Sequence, residues 1–115
     1  MYQQALAGTN LPVAWQSPLP GDNPVFHLFA VAIDFAGLGR TRTAVMEALK
    51  AHGVGSQVHY IPVHRQPYWQ KKALAQRDLP DADRFYDQTL SLPLYADMND
   101  DDPARVVAAL QAVLT

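Results

Sequence analysis

Apolar and polar positions divide the chain into short periodic stretches separated by glycine and proline. Residues 27–34, His-Leu-Phe-Ala-Val-Ala-Ile-Asp, form an apolar run without clean alternation, which predicts a strand buried on both faces. Gly37 and Gly39 then turn the chain. A helix is expected from Thr41 or Thr43, either of which can cap it, to about His52, with Val45, Ala48 and Leu49 on one face. Gly53 ends that helix and Gly55 allows another turn. Ser56 to Ile61 reads as a second strand, stopped by Pro62, which has no N–H for a ladder. Pro67 to about Leu74 predicts a short helix, and Asp81 can open another with Ala82, Phe85, Tyr86 and Thr89 at helical spacing. Residues 91–95, Ser-Leu-Pro-Leu-Tyr, are extended because Pro93 forbids helix, and they suit a packed connector better than a site. The last helix starts between Asp100 and Pro103, where carboxylates favour the positive helix N-terminus and proline fits the first turn. Val106, Val107, Leu110, Val113 and Leu114 form its buried stripe.

The start of the chain is different. Residues 1–7 suit the end of a helix. Residues 8–24 hold Gly8, Pro12, Pro18, Pro20, Gly21 and Pro24, a linker by composition with no regular structure expected. A loop this long, this early, suggests a segment that follows something else. The expected division is therefore 1–24 for helix end and linker and 25–115 for the folded domain. The fold class is α/β (α+β), a small sheet covered by helices.

Composition narrows the function classes. A chain of 115 residues with 49% apolar content supports one core, and 17% charged residues argue against disorder. The net charge of -2 gives no global attraction to nucleic acid or membrane, and the short apolar run at 28–33 cannot span a bilayer. The absence of cysteine excludes disulfides, zinc–thiolate sites and cysteine nucleophiles, and fits a cytoplasmic protein. Charge is nevertheless segregated. Residues 40–77 carry seven basic side chains against Glu47 alone, and residues 78–105 carry eight Asp against Arg84 and Arg105. Two solvated faces of opposite sign would explain this, and so would a middle segment that meets a phosphorylated ligand.

The densest chemistry lies in Gln57-Val58-His59-Tyr60-Ile61-Pro62-Val63-His64-Arg65-Gln66-Pro67-Tyr68-Trp69. On a strand, Gln57 and His59 share one face and Val58 and Tyr60 the other, so one face can hydrogen-bond a ligand edge while the rings stack on a base or sugar. The alternative is that His59 is a hydrogen-bonded residue at a domain edge. His59 and His64 lack metal-ligand spacing and have no neighbouring Asp or Glu, so no metal site is expected. A Gly-x-Ser-x-Gly elbow is absent, and Gly37-Leu38-Gly39 lacks the third glycine of a dinucleotide loop.

These pieces together resemble the C-terminal part of the DegT/DnrJ/EryC1/StrS sugar aminotransferases. The resemblance is carried by His27-Leu28-Phe29, Gly53-Val54-Gly55, Gln57 to His64, Gln66-Pro67-Tyr68, Ser91 to Tyr95 and the Asp-rich helix start, over about residues 25–115. Within the family, the wording from Gln57 to His64 is most similar to the transaminases of the pseudaminic-acid pathway, which convert a UDP-linked 4-keto-6-deoxy sugar to its 4-amino form with glutamate as donor. The resemblance implies the C-terminal small domain of a fold-type I enzyme dependent on pyridoxal 5'-phosphate. It implies substrate contacts from Gln57, Val58, His59 and Tyr60, with His64 as a neighbour. It also implies a large domain of the same enzyme and a UDP-sugar as partners, and a homodimeric parent. In the family the Schiff-base lysine lies on the large domain, and Lys50, Lys71 and Lys72 do not match its position. This chain alone is therefore expected to hold no catalytic or cofactor-binding residue, to bind no cofactor and to be inactive. A free-standing nucleotide-sugar-binding module and a dimerisation domain are the competing readings.

Overall fold

The computed structural model describes residues 1–72 and 78–115. Helix α1 (Tyr2–Ala7) is followed by strands β1 (Val13–Trp15) and β2 (Phe29–Ile33), helix α2 (Arg42–Ala51) and a 3-10 turn at Val63–Arg65. Helices α3 (Pro67–Gln70) and α4 (Pro80–Gln88), strand β3 (Thr89–Leu92) and helix α5 (Asp102–Leu114) complete the order. The three strands form one antiparallel sheet with β2 in the centre. This is the mixed α/β small domain anticipated from the pattern of elements. The C-terminal end expected for α3, at Leu74, lies outside the described residues.

The register explains how the sheet divides its faces. Val13 pairs with Ile33, Trp15 with Val31, Val31 with Leu90 and Phe29 with Leu92. Residues directly opposite one another share a face, so these large side chains all point one way. There they join Val45 and Leu49 of α2 and Val106, Val107, Leu110 and Val113 of α5 in a single core. Fully burying a side chain such as Ile33, Leu49 or Leu110 contributes about 1.5–3 kcal/mol each. The other face carries Ala14, Ala30, Ala32, Thr89 and Ser91, all small.

This alternation corrects the expectation that β2 is buried on both faces. Its burial alternates, with Phe29, Val31 and Ile33 buried and Ala30 and Ala32 only half-buried. The run looked continuous because alanine counts as apolar, yet size alternates along it. The small-residue face is the one that positions the candidate site.

Two further expectations are corrected. Residues 8–24 are not free of regular structure, because β1 pairs with β2 through Val13, Ala14 and Trp15. The Val-Ala-Trp triplet repeats the large-small-large pattern of β2, which lets it extend the same core face. Ser56–Ile61 forms no strand. Gln57 makes a lone bridge to Ser91, donating to its carbonyl at 3.1 Å and accepting from its N–H at 2.8 Å. Beyond Gln57 the chain leaves the β3 edge, and the His59 ring, rather than the backbone, makes the next contact with β3.

The helix ends follow local chemistry. Thr41 rather than Thr43 caps α2, its Oγ1 accepting from the Ala44 N–H at 3.1 Å. At the other end, Val54 N–H donates to Leu49 O and Gly53 N–H to Lys50 O, both at 2.9 Å. These are the two bonds of a Schellman ending, and Gly53 supplies the positive φ of 76° that it requires. Val54 is buried, so the turn that leads to Gln57 is tied to the core. Thr89, expected at helical spacing with Phe85, instead begins β3.

Helix α1 packs against α5. Its Tyr2 ring stacks on Phe29 at 4.6 Å, and its hydroxyl donates to the Pro93 carbonyl at 2.7 Å. Burial pushes the Tyr2 hydroxyl pKa well above the usual tyrosine value, with the Tyr95 and Asp102 charges adding to the effect.

Candidate functional site

A cavity of about 670 Å³ opens where the turn after α2, the exit of β3 and the start of α5 meet. Its wall includes Gly53-Val54-Gly55, Gln57, His59, the Ser91–Tyr95 stretch and Arg105. Gln57 and His59 therefore share a wall, while Val58 and Tyr60 are not part of it. His59 is half-buried, and its Nδ1 lies 2.9 Å from Ser91 Oγ. Ser91 is 4% exposed and stands on the small-residue face of the sheet. The His59 and Tyr60 rings meet edge-to-face at 4.8 Å, and Tyr60 is 76% exposed. Ser56 also lines the cavity, and its buried Oγ has no hydrogen-bond partner among the described residues.

Past Tyr60 the surface becomes apolar. Tyr60, Ile61, Val63, Tyr68 and Trp69 are all exposed within one short segment, and Phe85 on α4 is exposed as well. A run of large apolar side chains facing water marks a surface suited to contact with another part of a protein.

The end of this segment is anchored by charge. His64 Nε2 lies 2.8 Å from Asp83 Oδ1, where an Nε2–H donates to the carboxylate. Arg65 Nε donates to the same oxygen, and the other two guanidinium nitrogens reach Asp87 at 2.6 and 3.1 Å. The His64 hydrogen bond, followed by Arg65, holds the Asp83 carboxyl below the usual carboxylate range. Arg65 does the same for Asp87, and Asp87 in turn raises the Arg65 guanidinium further. Arg42 donates to the carbonyls of Tyr86 and Thr89, and the Arg42 and Arg65 guanidinium carbons lie 4.6 and 5.3 Å from the centre of the Tyr86 ring.

Most of the segregated charges, among them Arg40, Lys50, Lys71, Lys72, Asp97 and Asp100, are exposed, as two solvated faces would have it. Two half-buried basic residues of the middle segment turn inward instead, Arg65 to the acids of α4 and Arg42 to the carbonyls of Tyr86 and Thr89. Asp83 and Asp87 stand one helical turn apart, a spacing that suits the fork of one guanidinium. That i,i+4 pair was the available signal for them. Ser91 was read as part of a packed connector, and it is packed, but its hydroxyl also holds His59. No group of three or more His, Asp or Glu side chains suited to a metal ion occurs among the described residues.

A model of the DegT/DnrJ/EryC1/StrS aminotransferase family matches residues 1–111. The chain belongs to this family. It is 41% identical over 91 residues to the spore coat polysaccharide biosynthesis protein SpsC of Bacillus subtilis, an alignment covering 77% of this chain and 23% of SpsC. The fold is similar to that of Helicobacter pylori PseC, an aminotransferase involved in the biosynthesis of pseudoaminic acid. The TM-score is 0.84 at 21% identity, over 98% of this chain and 30% of PseC. It is also similar to S. venezuelae DesV, solved in complex with a ketimine intermediate, with a TM-score of 0.81 at 30% identity over 98% of this chain and 29% of DesV. The chain thus spans about a quarter to a third of the length of these relatives. No helix among the described residues is long and apolar enough to cross a membrane.

Proposed function

We propose that this chain is the C-terminal small domain of a pyridoxal-phosphate-dependent transaminase, and that it supplies one wall of the site for a UDP-linked 4-keto-6-deoxy sugar, with glutamate as amino donor. The observation that carries this reading is the placement of Gln57 and His59 on one cavity wall, with the His59 ring oriented by Ser91. The unpartnered Ser56 Oγ supports it, because a buried polar atom on a cavity wall is a group that a ligand can satisfy. Val58, half-buried, and Tyr60, exposed, complete the proposed substrate contacts, with the Tyr60 ring available for stacking on a base or sugar.

Pyridoxal phosphate, when bound, supplies an electron sink for moving the amino group. The residues lining the cavity do not fit its covalent attachment, since no lysine is among them. On this reading the cofactor belongs to a large domain of the same enzyme, and the chain's own residues bind and orient the sugar and exclude water. Residues 1–24 lead across from that domain and contribute α1 and β1 to the core that residues 25–115 complete. The exposed segment from Tyr60 to Trp69 is the surface that the large domain covers in a homodimeric, cytoplasmic enzyme.

The test has two arms. The chain is titrated with UDP and UDP-N-acetylglucosamine while the ring signals of His59 and Tyr60 are followed by NMR. In the longer enzyme that carries this domain, His59→Ala is assayed for transamination. The expected result is a several-fold rise in KM for the sugar with KM for glutamate unchanged. Micromolar binding by the chain alone, with no role in a longer enzyme, would favour the free-standing module. Unmoved ring signals together with an unmoved sugar KM would refute both and leave a dimerisation domain.

A further inference from the structure

We infer that Asp83 and Asp87 are positioning residues, and that with His64 and Arg65 they form a clamp tying the segment after Tyr60 to α4, which holds the His59–Tyr60 turn in place. The turn needs such support. Among the described residues, Val58, His59, Tyr60 and Ile61 donate no backbone hydrogen bond. The first ones beyond them are Arg65 N–H to Pro62 O and Gln66 N–H to Val63 O, at 2.9 and 3.1 Å. The stretch between the Gln57 bridge and the 3-10 turn is therefore held by side chains.

Those side chains reach one continuous unit. Helix α4 ends at Gln88 and β3 begins at Thr89, with no residue between. His59 is bound to Ser91 on β3, while His64 and Arg65 are bound to Asp83 and Asp87 on α4. Both ends of the turn are thus tied to the same helix–strand unit. That unit is fixed at its joint by Arg42, which donates to carbonyls on both sides of it, at Tyr86 and Thr89. A planar guanidinium gripping two carboxylates one helical turn apart allows little rotation. The consequence is that His59 and Tyr60 meet a ligand already in place rather than ordering upon it.

The importance of this turn to a sugar nucleotide rests on the function proposed above. The clamp itself is tested without any ligand. Hydrogen exchange and the His59 ring-proton shift are measured by NMR on the chain for wild type, Asp83→Ala and Asp83→Asn. In Asp83→Ala the Arg65 and Gln66 amides should exchange about tenfold faster, the scale of one charge-assisted hydrogen bond. The His59 shift, set by the adjacent Tyr60 ring, should move, while the amides of Val31, Leu90 and Leu110 should not change. Asp83→Asn keeps an oxygen acceptor and should restore most of both signals. Unchanged loop exchange or an unmoved His59 shift in Asp83→Ala would overturn the proposal. If Asp83→Ala loosens the core as well, Asp87→Ala decides. It removes only the outer pair of bonds, and absence of local acceleration there would overturn the clamp. Failure of the wild-type chain to respond to UDP-sugar bears on the proposed function alone, because the exchange experiment contains no sugar.

Discussion

Replacing Ser91 by alanine isolates the contact that joins sheet to site. The substitution removes one oxygen from a residue that is 4% exposed and leaves the backbone pairing with Ala30 and Gln57 intact. The lost interaction is a single hydrogen bond of 2.9 Å to His59 Nδ1. A bond of this kind contributes about 0.5–1.5 kcal/mol net. The imidazole is half-buried, so water can replace the hydroxyl in part, which places the loss near 1 kcal/mol rather than at the larger penalty of a sealed orphan. The change in strand preference is of order a few tenths of a kcal/mol, enough to blur a single measurement. A double-mutant cycle with His59→Ala removes that background, and urea unfolding of the four proteins should give a coupling of about 1 kcal/mol. Denaturant slopes should be equal, since no surface is newly exposed. A coupling below about 0.3 kcal/mol would mean that the contact does not orient His59, and the pre-set cavity wall would lose its physical basis.

Three other outcomes follow from single contacts. Tyr2→Phe removes the bond to Pro93 and should cost about 1 kcal/mol at neutral pH in urea unfolding. Because the folded Tyr2 pKa is raised, its contribution is complete below the unfolded value near 10 and declines as pH rises above it, so the two proteins should converge in the alkaline range. Thr41→Ala should lower stability by about 1 kcal/mol through loss of the α2 cap, with Thr41→Ser nearly neutral in thermal melts. Asp83 and Asp87 have depressed pKa values, so their contribution is present above the unfolded carboxylate value and lost as pH falls through the folded ones. Asp83→Asn should therefore flatten the acid limb of the stability curve, measured by circular dichroism during acid titration.

The elements that were legible in the sequence are those whose signals are local. The α2 ending needs only Gly53 and its neighbours, and the buried stripe of α5 needs only helical spacing, so both emerge from the pattern. The small-residue face of the sheet was hidden because hydropathy groups alanine with valine, although a periodicity of size was present in Phe29 to Ile33. β1 was hidden by the prolines around it, since three residues of strand are too short to overcome a linker composition and depend on β2 as a partner.

The candidate site shows a sharper limit. Gln57 and His59 could be singled out because unusual polar residues crowd one short stretch. Ser91 could not, because a serine beside leucine is unremarkable until the chain returns to meet it, and the i,i+4 spacing of Asp83 and Asp87 marks them as a pair without saying which arginine they meet. What makes the stretch from His59 to Arg65 a surface rather than a loose loop is long-range pairing with residues 18 to 32 positions away. The reactive-looking residues lie on a connecting segment, and the residues that hold them lie on a helix and a buried strand. That division is the physical reason to place mutations on Ser91 and Asp83 as well as on His59. A ligand contact can be lost by removing the ring, or by leaving the ring in place and releasing what aims it.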